Sequence, residues 1–271
     1  MKKRLTGMVA IVSLATASLL AAPKTVITLG VTEGAATGVM GNEMKPLVDH
    51  LGTSTMLNVQ LRVFPNHDVL YQALKSGKVD LAFLGAVKYV EAHDDIGAIP
   101  LVAEGEKVRS YIVVPPASPI KSPAELKGKS FAFGYPDSTT TYLIPLLLLS
   151  KHGLKREDVK GAFVGHQPQE LVDQMLAGKF AACPVSQYML DKNRGRVRVI
   201  EQSDLFAGPP IVARKDLDPK KVAEIRQLFV AYKPSGEGRS AHFGNGVIAV
   251  TDADYNRIRF LCKVLFNKTY H

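Results

Sequence analysis

Short apolar runs and amphipathic stretches alternate along this chain, and the alternation predicts strands followed by helices almost throughout. The run 79–84 is nearly all apolar, as in a parallel strand buried on both faces. Met44, Leu47 and Leu51 recur at helical spacing. Strands are predicted at 25–31, 57–64, 79–84, 108–114, 130–133, 162–164, 180–184, 197–200 and 210–213, and helices at 44–51, 68–76, 139–151, 168–177, 219–232 and after 251.

The repeated strand–helix units predict right-handed crossovers and mainly parallel sheets. Segment 73–83 (ALKSGKVDLAF) also resembles segment 175–183 (MLAGKFAAC), each with a helix end, a Gly-Lys turn and a buried strand. Two similar α/β lobes would produce this echo. Ligands of such sheets bind beyond the carboxyl ends of the strands, so two facing lobes would enclose a ligand between them.

The most informative segment is 134–145 (GYPDSTTTYLIP), which follows the strand pattern 130–133. Four consecutive hydroxyl residues, from Ser138 to Thr141, stand where a helix should begin. The first backbone N–H groups of a helix lack internal partners and carry partial positive charge, so they favour an anion. The alternative is that Ser138 or Asp137 only caps the helix. A carboxylate facing the anion would repel it, so Asp137 is expected to point away.

The N-terminus has the three parts of a secretory signal peptide. Residues 1–4 are basic, residues 5–20 are apolar, and Ala21-Ala22 supplies small residues for cleavage. The apolar run is too short and too rich in small residues for a membrane span. We therefore expect residues 1–22 to be a signal peptide and the mature chain to be soluble and exported.

The formal net charge is +9, and removal of the three basic residues of the leader leaves +6. This balance suits an anionic ligand. The basic run 192–198 could contact nucleic acid, but a solvated helix end and turn explains it better, so we expect no nucleic-acid partner.

The chain has two cysteines, Cys183 and Cys262, which could pair in an oxidising compartment. Two buried free thiols are the favoured alternative. A nucleophilic Cys183 would need a neighbouring base. Most of the histidines lack the spacing of metal ligands, so we expect neither a metal nor a cofactor.

Three segments carry a resemblance to a known family. They are 74–85 (LKSGKVDLAFLG) with the following Tyr89, 122–129 (SPAELKGK), and 136–145 (PDSTTTYLIP). Together they resemble the phosphonate/phosphite-type periplasmic substrate-binding proteins of ABC importers, and the likeness covers essentially all of the mature chain. The second segment occurs widely in binding proteins, whereas the other two are more specific to this family.

The resemblance implies an α/β fold of the two-lobed, type II periplasmic binding protein class. Each lobe would be a mainly parallel sheet flanked by helices, and two hinge strands, near 104–110 and 203–213, would join the lobes. Lobe 1 would comprise residues 23–107 and 213–271, and lobe 2 residues 108–212. The resemblance also implies an oxyanion held between the lobes.

The resemblance also implies particular ligand contacts. Ser138, Thr139 and Thr140 match the hydroxyls with which the family grips a phosphonate. His166 matches a family position that reaches the ligand, although it could be a plain helix-start residue. Tyr89 matches a pocket tyrosine, and a core tyrosine is the alternative.

Three positions depart from the family pattern. Thr141 stands where the family usually has Gly, His67 where it usually has Tyr, and Ala181 where it has Asp in the second Gly-Lys segment. We expect these changes to alter the pocket, so Thr141 and His67 join the candidate ligand-binding residues. His67 could equally be an exposed histidine at a helix start.

These observations predict a binding protein rather than an enzyme. The leading hypothesis is a periplasmic receptor for phosphate-, phosphite- or phosphonate-like oxyanions that feeds the membrane permease of an ABC importer. One alternative is a receptor that presents its ligand to a membrane sensor kinase. Another is an exported enzyme that uses Cys183 as a nucleophile, since neither paired carboxylates nor a G-x-S-x-G elbow supports other hydrolytic chemistry.

Overall fold

The computed structural model describes residues 25–32, 39–54, 57–105, 107–136, 138–164, 168–234, 243 and 246–271. The strands are β1 (Thr25–Thr32), β2 (Leu57–Phe64), β3 (Leu81–Phe83), β4 (Ile99–Glu104), β5 (Ser110–Val114), β6 (Ser130–Phe133), β7 (Lys160–Phe163), β8 (Cys183–Ser186), β9 (Arg198–Gln202), β10 (Pro210–Ala213) and β11 (Val247–Ala249). The α-helices are α1 (Val39–Ser54), α2 (His67–Lys75), α3 (Ala86–Ile96), α4 (Ile144–Lys151), α5 (Pro168–Leu176), α6 (Gln187–Lys192), α7 (Pro219–Ala231) and α8 (Asn256–Phe266).

The first body of the molecule is a six-stranded sheet in the order β11-β4-β10-β3-β1-β2. β1 pairs in parallel with β2 and β3, whereas β10 and β11 run antiparallel to their neighbours. A core of apolar side chains from this sheet, α1 and α7 fills one face. The strands that return late in the chain therefore enter the sheet in the opposite direction.

The second body contains a three-stranded sheet, β8-β5-β9, and the parallel pair β6-β7. β5 is antiparallel to both of its neighbours. A parallel bridge between Phe131 and Ala182 joins β6 to the start of β8. The six-stranded sheet is thus mixed and the three-stranded sheet antiparallel, whereas β6 and β7 are parallel. The sheets are therefore less parallel than predicted, because the chain passes between the two bodies twice and its returning strands reverse direction.

The carboxyl ends of the parallel strands lie at facing edges of the two bodies. β4 is parallel to β3, since β10 is antiparallel to both, so β4 ends at the carboxyl edge of the first sheet. β5 is antiparallel to β8, so β5 begins at the edge where β8 and β6 end. The connection from β4 to β5 therefore joins one carboxyl edge to the other, and so does the return from β9 to β10.

These two connections pair with each other between the bodies. The N–H of Val108 donates to the carbonyl of Phe206, and the N–H of Phe206 donates to the carbonyl of Val108, both at 2.9 Å. The connections fall within the ranges 104–110 and 203–213, where the sequence places the crossings. A short two-stranded ribbon thus lies at one end of the gap between the two edges.

The C-terminal helix α8 packs on elements of both bodies. Its contacts include α3 on the first body and α4 on the second. Phe266 stacks on Tyr142, with ring centroids 5.9 Å apart and planes 9° from parallel. Arg257 forms a 2.6 Å ion pair with Asp204, on the return connection. One apolar cluster accordingly runs from α2 and α3 through α8 to α4.

The internal echo of the sequence corresponds to two similar turns. Gly77 and Gly178 both adopt positive φ, 72° and 78°, after a helix and before a strand. The Asp80 carboxylate of the first turn accepts hydrogen bonds from the N–H and the hydroxyl of Thr28, both at 2.8 Å. In the second turn the N–H of Ala181 donates to the hydroxyl of Ser130 at 3.1 Å.

The position of this second turn bears on one expectation. Ala181 precedes β8 and contacts the amino end of β6, whereas ligands of such sheets bind at the carboxyl ends of the strands. This placement gives no support to the expectation that the replacement of Asp by Ala at residue 181 alters the pocket.

The sequence patterns do not predict α3, β4, α6 or β11. α3 begins at Gly85 without a side-chain cap, and Pro100 interrupts the strand pattern of β4. The segment that begins at Ser122 forms a single 3-10 turn, Pro123–Leu126, and the Ser122 side chain does not cap it.

Candidate functional site

The hydroxyl segment lies where β6 ends, at the carboxyl edge of the second body. Residues Thr139–Leu143 form a wide π turn, which continues directly into α4. Pro145 has no N–H and cannot donate to the Thr141 carbonyl, which instead accepts the N–H of Gly134 at 3.0 Å. A Cβ atom on Gly134 would overlap the Thr141 hydroxyl, so glycine is needed for this close approach. The helix predicted over 139–151 is present, with a widened first turn.

Ser138 caps this turn. Its hydroxyl oxygen accepts the N–H of Thr141 at 3.2 Å and the hydroxyl of Thr141 at 2.6 Å. Its carbonyl accepts the N–H groups of Tyr142 and Leu143 at 3.2 and 3.0 Å. The capping alternative is therefore correct for Ser138, but the cap uses only one of the four hydroxyls as an acceptor of a backbone N–H.

Thr139 is the residue of this turn that lacks a partner. Its side chain is only 5% exposed, and its Oγ1 atom forms no hydrogen bond to any residue that the structure describes. The backbone N–H groups of Thr139 and Thr140, at the start of the turn, likewise have no acceptor among the described residues. A buried polar atom without a partner is costly, so this cluster of donors favours a ligand with acceptor oxygens.

The backbone carbonyl of Thr140 is held by a hydrogen bond from Ser110. The hydroxyl of the fully buried Ser110 donates to the Thr140 carbonyl at 2.6 Å. The N–H of Ser110 in turn donates to the hydroxyl of Ser203 at 3.0 Å. Since Ser110 and Ser203 border the two connections between the bodies, the hydroxyl turn is tied to both crossings.

Thr141 has a partner inside the turn rather than at the edge of the sheet. Its hydroxyl donates to Ser138 and packs against Gly134. The Thr141 hydroxyl is therefore already engaged by Ser138, whereas the Thr139 hydroxyl is not engaged by any described residue.

Tyr89 lies in the core at the start of α3. Its side chain is fully buried, its hydroxyl donates to Asp252 at 2.5 Å, and its ring packs edge-on against Tyr255 at 4.5 Å. Burial, followed by the bond to Asp252, raises the pKa of the Tyr89 hydroxyl far above its usual range. This placement favours the core alternative that the sequence leaves open for Tyr89.

His67 opens α2, directly after β2, and so lies at the carboxyl edge of the six-stranded sheet. The helix is capped by Asn66, whose side chain accepts the N–H of Val69 at 2.9 Å. His67 is half-buried. His166 and Asp137, two further residues singled out in the sequence, lie outside the described residues.

Both cysteines are buried free thiols, as favoured from the sequence. Burial raises the pKa of the Cys183 thiol far above its usual range, and it raises the pKa of Cys262 to about 11. The sulfur of Cys183 lies 3.7 Å from that of Met175. A thiol this hard to ionise is a poor nucleophile.

The basic run has local partners in the fold. Arg194 pairs with Asp191 at 3.0 Å, and Arg198 donates to backbone carbonyls at 2.7 and 2.8 Å. This supports the helix-end interpretation. Among the described residues, no cluster of His, Cys, Asp and Glu could hold a metal ion, and no helix in the described ranges is long and apolar enough to cross a membrane.

The sequence of this chain matches a known family. A family model described as "ABC transporter, phosphonate, periplasmic substrate-binding protein" matches residues 29–256. The chain belongs to this family. The members of this family are periplasmic substrate-binding proteins. The resemblance to this family that the sequence predicts is confirmed.

Two curated relatives support the assignment. The phosphate-import protein PhnD of Mycolicibacterium smegmatis is 26% identical over 254 residues, which cover 81% of this chain and 79% of the relative. The phosphonates-binding periplasmic protein of Escherichia coli is 27% identical over 205 residues, which cover 68% of this chain and 60% of the relative.

The solved structure of PhnD1 from Prochlorococcus marinus, in complex with methylphosphonate, superposes with a TM-score of 0.76 at 16% identity. The match covers 91% of this chain and 100% of that one. At this identity the likeness shows the fold alone. It confirms the predicted α/β, two-lobed, type II periplasmic binding protein class.

Proposed function

We propose that this family member captures a small phosphonate-, phosphite- or phosphate-like oxyanion between its lobes and delivers it to the permease of an ABC importer. The observation that carries the proposal is the buried Thr139 hydroxyl, which, like the backbone N–H groups of Thr139 and Thr140 beside it, has no partner among the described residues. Neutral donors in a closed cleft can hold a charged oxygen cluster, since each hydrogen bond to a charged group contributes roughly 1.5–3 kcal/mol. The relatives named above, a phosphate importer and a phosphonate-binding protein, bind ligands of this class.

The proposed pocket has one wall on each lobe. Ser138, Thr139 and Thr140 form the wall of lobe 2, and His67 stands on the facing edge of lobe 1. His166, which lies outside the described residues, is a candidate through the family resemblance alone. Tyr89 is not part of the proposed pocket, because its hydroxyl is engaged by Asp252.

We further propose that residues 23–107 and 213–271 form lobe 1, and that residues 108–212 form lobe 2. The mature protein would be a periplasmic monomer, exported by a signal peptide at residues 1–22. Presentation of the ligand to a sensor kinase has no support of its own in the contacts described. Catalysis by Cys183 is disfavoured by the burial of its thiol.

The proposal is tested by a thermal-shift screen with methylphosphonate, phosphite and phosphate, using glucose as an uncharged control. A ligand at 100 times its Kd stabilises a protein by about 2.7 kcal/mol, which for a chain of this size raises Tm by about 5–10 °C. We expect such a shift with at least one oxyanion. Shifts with glucose, and none with the oxyanions, would contradict the proposal.

A receptor of this type should also close on its ligand. The two crossings are joined by backbone hydrogen bonds between Val108 and Phe206 and between Ser203 and Ser110, so we expect them to bend together as a hinge. Small-angle scattering should therefore show a smaller radius of gyration with the oxyanion found in the screen. An unchanged radius would argue against hinge closure, unless the free protein is already closed.

A further inference from the structure

We infer that Thr141 is a positioning residue, which fixes the Ser138 hydroxyl as a hydrogen-bond donor toward the bound oxyanion. The inference deepens the proposed function and rests on it. It concerns a position where this chain departs from the resemblance described above. It also explains how a threonine whose hydroxyl is already engaged by Ser138 can affect a ligand that it does not touch.

The geometry at Ser138 carries the inference. A serine hydroxyl has one donor proton and two acceptor lone pairs. One lone pair accepts the N–H of Thr141 at 3.2 Å, and the Thr141 hydroxyl lies 2.6 Å from the same oxygen. With the Thr141 hydroxyl as the donor of this second bond, both lone pairs are filled. The Ser138 proton must then point away from Thr141. Ser138 remains half-buried at the edge of the turn, beside the unpartnered Thr139 hydroxyl.

Thr141 is itself held in place. Its carbonyl accepts the N–H of Gly134 at 3.0 Å, and its hydroxyl packs against the backbone of the same glycine. Because one contact holds the backbone of Thr141 and the other holds its side chain, the Thr141 hydroxyl is pre-oriented toward Ser138 before any ligand arrives. Chains of hydroxyl donors also polarise one another, which strengthens the outermost bond.

The arrangement specifies the ligand atom that meets Ser138. A hydroxyl whose lone pairs are occupied can donate but cannot accept, so the atom opposite must be an acceptor oxygen. A ligand ammonium group, which has no lone pair, would not be accommodated at this point. The hydrogen bond is strongest to an ionised oxygen, so the site favours an ionised oxygen of a phosphonate, phosphite or phosphate.

The test is calorimetric titration with methylphosphonate of the parent, Thr141→Val, Thr141→Ser, Ser138→Ala and the double variant Ser138→Ala/Thr141→Val. We expect Thr141→Val to bind about three- to tenfold more weakly. Thr141→Ser keeps the hydroxyl and should bind within about twofold of the parent. In the Ser138→Ala background, Thr141→Val should have no further effect, because its partner is gone.

The outcomes separate this inference from the proposed function. Stronger binding by Thr141→Val would overturn the inference, since it would mean that Ser138 donates to Thr141 rather than to the ligand. Additive losses in the double variant would also overturn it and show a purely structural role. If the parent does not bind methylphosphonate, or if Ser138→Ala and Thr139→Val bind as tightly as the parent, the proposed site itself fails.

Discussion

Two buried or partly buried threonine hydroxyls of this protein, Thr28 and Thr139, differ in whether they have a hydrogen-bond partner. At the amino end of β3, the Asp80 carboxylate accepts from the N–H and hydroxyl of Thr28, and Arg214 pairs with it at 3.3 Å. At the carboxyl end of β6, the Thr139 hydroxyl is buried and has no partner among the described residues. The Thr28 hydroxyl and the Asp80 carboxylate are satisfied without a ligand, and the Thr139 hydroxyl is not, although the Nε atom of Arg214 beside Asp80 also lacks a hydrogen-bond partner among the described residues.

The difference in hydrogen bonding between the Asp80 turn and the Thr139 turn indicates which of them can bind a ligand. A polar group with a hydrogen-bond partner contributes to folding, since it has regained a bond on removal from water. A buried donor without a partner is one that a ligand can use, at some cost to the free protein. Substitutions in the two turns should therefore affect stability and affinity in opposite proportions, and the predictions below are ordered by the expected size of the effect.

The largest effect is expected for Asp80→Ala. It leaves the Arg214 guanidinium and the Thr28 donors without their shared acceptor in a partly buried place. The free energy of unfolding should fall by about 2–4 kcal/mol, as measured by urea denaturation. Affinity for methylphosphonate should change by less than about twofold. A large loss of affinity in an Asp80→Ala protein that stays stable would contradict the distinction between the two turns.

Thr139→Val should give the reverse pattern. The change keeps the shape of the side chain but removes the buried hydroxyl, so we expect a ten- to hundredfold loss of affinity, about 1.4–2.8 kcal/mol. The free protein should be as stable as the parent or slightly more stable, because an unpartnered polar atom is lost.

Thr28→Val is the matched control for Thr139→Val. It removes a hydroxyl that is already bonded to Asp80, so it should lower stability by about 1 kcal/mol and leave affinity unchanged. Equal behaviour of the two threonine variants in both measurements would contradict the distinction drawn here.

Ser110→Ala should fall between the two patterns. Its hydroxyl supports the Thr140 carbonyl from a buried position next to a crossing. We expect a loss of about 1 kcal/mol in stability together with a three- to tenfold loss of affinity, because the turn is held less firmly. Denaturation and calorimetry on the same preparation measure both quantities. Loss of stability alone would show that the turn keeps its geometry without this bond.

The smallest effect is expected for Ala181→Asp, which gives the second Gly-Lys turn the residue found in the first. The position is half-buried and lies at the amino end of the strands, next to Ser130. Stability should change by less than about 1 kcal/mol and affinity by less than about twofold. A strong decrease in affinity would show that residue 181 influences the pocket after all.

Much of this architecture could be predicted from the sequence, because local patterns determine it. The Gly-Lys turns, the strand before Gly134 and the hydroxyl helix start are all local signals, and each lies where it was expected. Strand direction could not be predicted, because it depends on how the chain returns between the lobes. β10 gives no local sign that it runs antiparallel to β3 and β4.

The candidate site was partly predictable for the same reason. Four hydroxyls at one helix start indicate an anion site, but the role of each hydroxyl depends on how its side chain packs. The approach of Thr141 to Gly134 and the burial of Tyr89 are tertiary contacts. A signal for the first was present in Pro145, whose missing N–H frees the Thr141 carbonyl for Gly134.

The most direct test of the central claim is a crystal structure of the protein grown with methylphosphonate. We predict that phosphonate oxygens lie about 2.6–3.2 Å from the Thr139 Oγ1 atom, the Ser138 hydroxyl and the backbone N–H of Thr140. An oxyanion bound elsewhere in the cleft, with the Thr139 hydroxyl still lacking a partner, would contradict the account.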